Sequence, residues 1–278
     1  MNFLDALLLG LVEGLTEFLP VSSTGHLTIV EKLLGLEVDD PGVTAFTALI
    51  QVGAITAVLV YFRRDIATLA AAWFRGLGQP AARQRREYRM AWYVIAGSLP
   101  IGLVGFLARE LISGPLRNLW VVAGGLAVWS LFMYLAERVG RQDRGEADLK
   151  LSDALVIGIV QCIALIPGVS RSGATISAGL FCGLDRVAAT RLSFFLSIPA
   201  LVAAGAYEGL TAASDISISV GWGPTAVATL VSFLVAYASI AWLLRLVAHH
   251  SITIFIGYRL LVAAALATAL GTQVLSST

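Results

Sequence analysis

The sequence predicts an all-α integral membrane protein, an inverted-topology repeat in which each half is a re-entrant helix hairpin followed by three transmembrane helices. Three observations predict it. The chain is 58% hydrophobic and 13% charged, with mean hydropathy +0.83, where soluble domains carry roughly 25% charged residues. Its apolar segments fall into two series divided by a charged linker at 138–150, and each series opens with two pieces too short to cross a bilayer. Its Lys and Arg residues then sort to one side of the resulting topology. The alternating strands of a membrane barrel are absent, and a net charge of +1 leaves no nucleic-acid footprint.

Residues 3–19 are apolar but carry Glu13 and Glu17, and residues 22–35 are shorter than the about 20 residues a span requires. With Pro20 between them, the two pieces read as one re-entrant hairpin over 3–35, tolerable only where other helices bury its elbow. No charged n-region or cleavage site precedes it, so no removable signal is expected. Asp39, Asp40 and Pro41 mark a loop, and spans follow at about 43–62, 90–109 and 117–137. The first is closed by Arg63, Arg64 and Asp65, and a polar segment from Arg75 to Arg89 precedes the second. These elements make the first repeat, 1–140.

The second repeat, 151–278, restates the order: a re-entrant pair over 151–183, then spans near 187–210, 224–245 and 252–272. Gly10-Leu-Val-Glu13 is echoed by Gly158-Ile-Val-Gln161. Pro20-Val-Ser-Ser23-Thr24 is echoed, with one residue deleted, by Pro167-Gly-Val-Ser170-Arg171. Three spans per half is an odd number, so the second half must enter from the opposite side. Arg63/Arg64, Arg75 to Arg89, Arg138 to Lys150, Arg186/Arg191 and Arg245, which are most of the 19 Lys and Arg, then share one side. Lys32, Arg109, Arg117 and the 211–223 loop with Asp215 fall on the other. The basic side is therefore cytoplasmic, both termini are outside, and the elbows meet near the midplane.

The elbows carry the chemistry. Glu13 and Glu17, four apart, share a helix face among Leu7, Leu8, Leu11, Val12, Leu15, Phe18 and Leu19. Carboxylates in such a segment are expensive and by default functional. Ser22, Ser23 and Thr24 follow as N-cap chemistry, with His26 behind them. In the second elbow, Pro167-Gly-Val-Ser170-Arg171-Ser172-Gly-Ala-Thr175 places an arginine among hydroxyls and glycines at a helix start. Arg171 reads either as a neutralising partner for a buried glutamate or as a phosphate clamp, since a guanidinium fork and a helix N-terminus both suit an anion. Ser170, Ser172 and Thr175 read equally as caps. Glu13 and Glu17 can hold a divalent cation, Mg²⁺ or Ca²⁺. Together these groups are what phosphoanhydride hydrolysis requires. Cys162 and Cys182, without CxxC spacing, are expected to be small core residues.

Glu13-Gly-Leu-Thr-Glu-Phe-Leu-Pro-Val-Ser-Ser-Thr-Gly-His26 and Pro167-Gly-Val-Ser-Arg-Ser-Gly-Ala-Thr175 closely resemble the two signatures of bacterial undecaprenyl-diphosphate phosphatases of the bacitracin-resistance type. Ala48-Leu-Ile-Gln51, Leu196-Ser-Ile-Pro199 and Tyr258-Arg259 extend the likeness over nearly the whole chain. The resemblance implies hydrolysis of the lipid carrier's diphosphate on the outer face of the bacterial cytoplasmic (inner) membrane, with a polyprenyl diphosphate as substrate. It places the family's glutamate motif on Glu13 and Glu17, its hydroxyl run on Ser22, Ser23 and Thr24, its histidine on His26, and its arginine motif on Ser170, Arg171, Ser172 and Thr175. Arg171 is then the phosphate clamp and Glu13 with Glu17 are cation ligands or acid/base groups. Ser23 is the candidate nucleophile and His26 the general acid/base, a water activated by His26 or Glu17 remaining open. A homodimer also stays open. The type-2 phosphatidic acid phosphatase signature is missing, because neither Lys32 nor Lys150 begins it. The rival function is lipid transport, since inverted repeats with broken helices also build carriers.

Overall fold

The computed structural model describes residues 1–277 apart from Asp39, Pro115 and 212–219. Asp215 and most of the 211–223 loop therefore lie outside the described residues. Twelve helices run along these residues: α1 Phe3–Thr16, α2 Ser23–Leu33, α3 Pro41–Tyr61, α4 Arg63–Gly78, α5 Arg86–Leu107, α6 Arg109–Ser113, α7 Leu119–Val139, α8 Leu151–Gln161, α9 Arg171–Phe181, α10 Arg186–Thr211, α11 Trp222–His249 and α12 Ile254–Gly271. There is no strand among them, only an isolated bridge between Arg144 and Leu184. Six helices are long and apolar enough to cross a membrane: α3, α5, α7, α10 over Arg186–Ala206, α11 and α12. Each of the six expected spans has one of these helices over it, with ends shifted by a few residues.

Local sequence explains the starts. Asn2 and Asp5 form a capping box on α1, and Asp40 caps α3 with Pro41 behind it, where a missing N–H costs nothing. α1, α2, α8 and α9 have 14, 11, 11 and 11 residues, each shorter than a bilayer is thick.

Helix α4 adds an element to the sequence reading. The first span ends before Arg63–Asp65 as expected, and from Arg63 the chain enters a second helix that runs on into the polar segment beginning at Arg75. That helix is amphipathic, with Asp65 in its first turn and Arg75 in its last, matching the helix dipole. It packs on α5, where Trp73 meets Trp92 and Gly76 lies against the Tyr88 ring. Two cysteines are also placed differently from expectation: Cys162 and Cys182 are free but only half-buried.

The packing crosses the two halves. α1 lies on α11, and α8 lies on α5, so the first helix of each half packs against the second long helix of the other. Glycines make both approaches possible: a Cβ at Gly10 would strike the Ala228 carbonyl, and one at Gly158 the Gly97 carbonyl. The halves also meet through α3 with α10 and α7 with α12. α9 sits at the centre with every residue from Ser172 to Leu180 buried, against a core that includes Phe18, Phe62, Trp129, Phe194 and Phe195. Leu99, Leu103, Phe106 and Leu107 on α5 face outward, an apolar surface suited to acyl chains.

Several of the basic segments meet through ion pairs. Glu137 accepts from Arg186 at 2.7 Å and from the Ile252 amide at 2.8 Å. Arg191 reaches Asp65 at 3.1 Å and Glu146 at 2.8 Å, and Arg86 reaches Glu146 at 3.3 Å. Arg117 donates to the Val38 carbonyl, and the Leu119 amide donates to the Ser277 carbonyl.

Candidate active site

The two elbows are built alike. Ser22 and Ser170 both cap their helices from a left-handed conformation, φ 76° and 75°, and both hydroxyls accept from a glycine amide three residues on, Gly25 and Gly173. Left-handed φ at a non-glycine residue costs of order 1–3 kcal/mol and persists only where surroundings impose it. The equivalence also revises the expected register. Ser22 and Ser170 are related by the same offset as Glu13 and Gln161, so the two caps align without the one-residue deletion that aligning the prolines requires.

Each elbow is joined to the other. Ser22 Oγ accepts from the Gly168 amide at 3.1 Å, and Ser172 Oγ donates to the Leu19 carbonyl at 2.9 Å. Ser170 Oγ lies 3.1 Å from Ser172 Oγ. Gly168, at φ +91°, has no room for a Cβ against the Val122 carbonyl of α7. The hydroxyls of Ser22, Ser170 and Ser172 are thus engaged in holding the elbows together. Thr175, fully buried, donates to the Arg171 carbonyl at 2.8 Å, and its oxygen lies 2.6 Å from Ser193 Oγ, from which it accepts.

At the junction stand three side chains in line. Ser23 Oγ donates to Glu17 Oε2 at 2.5 Å, and Arg171 Nη2 donates to Glu17 Oε1 at 2.8 Å. A hydroxyl on a carboxylate that a third group orients is the arrangement of an activated nucleophile. Arg171 pairs with the buried Glu17, and its Nη1 is buried without a hydrogen-bond partner among the described residues. Glu13 is 1% exposed, and its Oε1 is likewise buried and unpartnered. Buried polar atoms are normally satisfied. Arg171 Nη1 and Glu13 Oε1 are thus a buried donor and a buried acceptor that the described residues leave unsatisfied.

The structure separates His26 from the Ser23 hydroxyl's bond. Its Nδ1 lies 2.7 Å from the Ser22 carbonyl, and its Nε2 lies 2.7 Å from Tyr258 Oη. A carbonyl only accepts, so Nδ1 carries a proton, and in the neutral ring Nε2 accepts from Tyr258. The two rings stack with centroids 5.5 Å apart.

A polar cavity of about 170 Å³ opens from this junction toward the Arg117 end. Glu13, Ser23 and Thr24 line its floor, and Thr28, Thr44, Thr47, Gln51, Glu31 and Arg117 its walls. For a divalent cation, no three His, Cys, Asp or Glu side chains converge among the described residues, and each Glu17 oxygen already accepts one hydrogen bond. Glu13 offers the open oxygen. That suits Mg²⁺, which is commonly held by one or two carboxylates with water and substrate phosphate completing the shell.

Sequence reasoning gave no role to Tyr258, Arg259, Glu31, Thr28, Thr44 or Thr47. Arg259 carried a usable signal, being a charge inside an apolar span. The threonines carried none, because a hydroxyl every three or four residues is ordinary in such helices.

The bacitracin resistance protein BacA family model matches residues 6–265. "Undecaprenyl-diphosphatase 3" of Frankia casuarinae is 60% identical over 278 residues, spanning all of both chains. "Undecaprenyl-diphosphatase" of Acidothermus cellulolyticus is 56% identical over 98% of each chain, and that of Mycobacterium sp. (strain KMS) 46% identical over all of both. The chain therefore belongs to the BacA family of bacitracin resistance proteins.

Proposed function

We propose that this chain hydrolyses undecaprenyl diphosphate to undecaprenyl phosphate and inorganic phosphate, returning the lipid carrier to cell-wall synthesis and raising resistance to bacitracin. The observation that carries this reading is the line Arg171–Glu17–Ser23, which sets a nucleophile beside an anion-binding donor. The names of full-length relatives point to the same activity. A carrier would need the arginine but not the poised hydroxyl.

The fold takes a matching place in the membrane. The short helix pairs α1–α2 and α8–α9 are re-entrant hairpins, and the halves 1–140 and 151–278 are inverted copies whose elbows meet at mid-depth. The crossed packing and the paired caps at Ser22 and Ser170 support this. The basic end faces the cytoplasm, so the cavity opens to the outer face of the cytoplasmic membrane, and the polyprenyl tail lies against lipid-facing helices.

In the reaction, Arg171 Nη1 and the N-terminal amides of α9 hold the terminal phosphate. The Ser23 proton passes to Glu17 Oε2 as Oγ bonds to the terminal phosphorus. The bond from that phosphorus to the bridging oxygen breaks, and undecaprenyl phosphate leaves with the electron pair. Water then attacks the phosphoserine, Glu17 returns its proton to the departing Ser23 oxygen, and the water's protons leave with inorganic phosphate. Glu13 would hold Mg²⁺ or Ca²⁺, and such an ion would supply charge neutralisation to the reacting phosphate. His26 and Tyr258 hold the elbow at the Ser22 carbonyl.

The test is phosphate release by purified protein from a polyprenyl diphosphate labelled in its terminal phosphate. Acid quenching should leave label on the wild-type protein and none on Ser23→Ala. Wild-type turnover by Ser23→Ala would make water the nucleophile. If the wild-type protein releases no phosphate with any cation, yet moves polyprenyl lipid across a vesicle bilayer, the carrier reading stands instead.

A further inference from the structure

Arg259 lies wholly inside the protein, at 0% exposure, on the apolar helix α12. Its donors all go to oxygens that bear no formal charge among the described residues. Nε donates to Ser130 Oγ at 3.1 Å, and Nη1 to the Pro20 carbonyl at 3.0 Å. Nη2 is shared among the carbonyls of Gly168 at 3.0 Å, Val169 at 3.2 Å, Leu126 at 3.2 Å and Gly125 at 3.3 Å. One guanidinium therefore grips both elbows and the helix α7 behind them. A buried cation solvated only by peptide carbonyls and one hydroxyl is costly to keep, and nothing in the reaction as derived above uses it.

What the grip does follows from the peptide plane. In a trans peptide the N–H points opposite to the C=O. The Gly168 and Pro20 carbonyls are each followed by an amide already committed to a turn, Val169 to Ile166 and Val21 to Leu19. The Val169 carbonyl is followed by the amide of Ser170, the left-handed cap of α9. Drawing the Val169 carbonyl onto Arg259 turns the Ser170 N–H away from Arg259 and fixes the conformation from which Arg171 departs. On the first elbow, the Pro20 contact lies two residues before Ser22, and Ser22 in turn sets Ser23. A guanidinium matches this task because five donors in a rigid fork can reach separate acceptors at once. An ammonium cannot span them.

We propose that Arg259 is a positioning residue for catalysis: it locks the two strained elbows in one relative register, and so sets the distance between Ser23 on one and Arg171 on the other. It touches no substrate. The inference rests on the elbows forming the catalytic site, which Glu17→Gln tests separately.

The experiment compares Arg259→Lys with wild type in detergent, reading steady-state turnover, melting temperature and amide exchange over residues 167–175. Misplacement of reacting groups by about 1 Å costs about a hundredfold in rate, so kcat should fall on that order while KM for the lipid diphosphate changes by less than about threefold. Exchange at the Ser170 amide should quicken while that of α12 stays unchanged. Ser130→Ala, which removes one partner and keeps the charge, should shift kcat and exchange in the same direction by a smaller factor, and it decides the matter if Arg259→Lys does not fold. Loss of activity matched by loss of folded protein, with wild-type kcat per folded molecule in both variants, would make Arg259 a scaffold residue only. Wild-type kcat in a folded Arg259→Lys would overturn the proposal outright. Full activity in Glu17→Gln would instead remove the site on which it rests.

Discussion

Ser23 Oγ and Glu17 Oε2 lie 2.5 Å apart, across the turn over 18–22 that forms the first elbow. The contact exists because α1 ends at Thr16, Glu17 still has helical backbone as its C-cap, and Ser22 turns the chain back through a left-handed cap. Ser23 is then the first residue of α2 and faces the carboxylate just before the turn. Neither residue would reach the other on a continuous helix, where neighbours on one face are three or four apart.

Glu17→Gln keeps the shape of that contact and removes its basicity. The Ser23 proton then has no acceptor of adequate strength, a contribution typically worth 10²–10⁴ in rate. Phosphate release should fall by about a thousandfold. Binding of the lipid diphosphate should fall far less, since Arg171 and the α9 N-terminus remain, and added Mg²⁺ or Ca²⁺ should restore little. Equal losses of binding and turnover would make Glu17 a substrate-holding group and not a base.

Arg171→Lys keeps the charge and loses the fork. One Arg171 nitrogen already serves Glu17, and the other is the unpartnered donor assigned to phosphate. A single ammonium cannot fill both positions. Activity should drop at least about a hundredfold, the range for losing one preorganised donor at a developing charge, while gel filtration in detergent shows a folded protein. Activity within about threefold of wild type would remove Arg171 from the reaction.

Much of this site was legible in the sequence because charges inside apolar segments stand out. Glu13, Glu17 and Arg171 were found that way, and the glycine and proline around them marked the elbows. The pairing was less legible. Four-residue spacing puts Glu13 and Glu17 on one helix face but does not say how they differ: Glu17 is bonded to Arg171 and Ser23, while Glu13 Oε1 has no partner among the described residues. Helix α4 was hidden because its charges lower local hydropathy to that of a loop, while its apolar face is visible only at helical period. His26 and Tyr258 are a contact between helices at opposite ends of the chain, which no local spacing encodes.

Orientation is read from charge, and cysteine labelling checks it. In a background with Cys162 and Cys182 replaced by alanine, Glu37→Cys should react with an impermeant thiol reagent added to intact cells. Gln84→Cys should react only after the cells are opened. Both positions are exposed, so access to the side chain is not limiting. The reverse pattern would invert the topology and put the cavity mouth on the cytoplasmic side.

The crossed packing of the two halves depends on backbone touching backbone. Gly158 of α8 lies against the Gly97 carbonyl of α5, and Gly10 of α1 lies against the Ala228 carbonyl of α11, each with no space for a methyl group. Alanine at either position must push a helix away from its partner in the other half, and overpacking of this kind costs typically 1–3 kcal/mol. Gly158→Ala and Gly10→Ala should therefore lower the melting temperature in detergent and reduce phosphate release together, because α1 and α8 lead directly into the elbows. Gly102→Ala supplies the comparison: it is on the same helix as Gly97, nothing lies within reach of its new methyl, and a helical glycine replaced by alanine is stabilised by about 0.5–1 kcal/mol. If Gly158→Ala melts no lower than Gly102→Ala, then α8 and α5 do not touch in the folded protein. The crossed arrangement of the halves would fall with that contact, and with it the reason the two elbows meet.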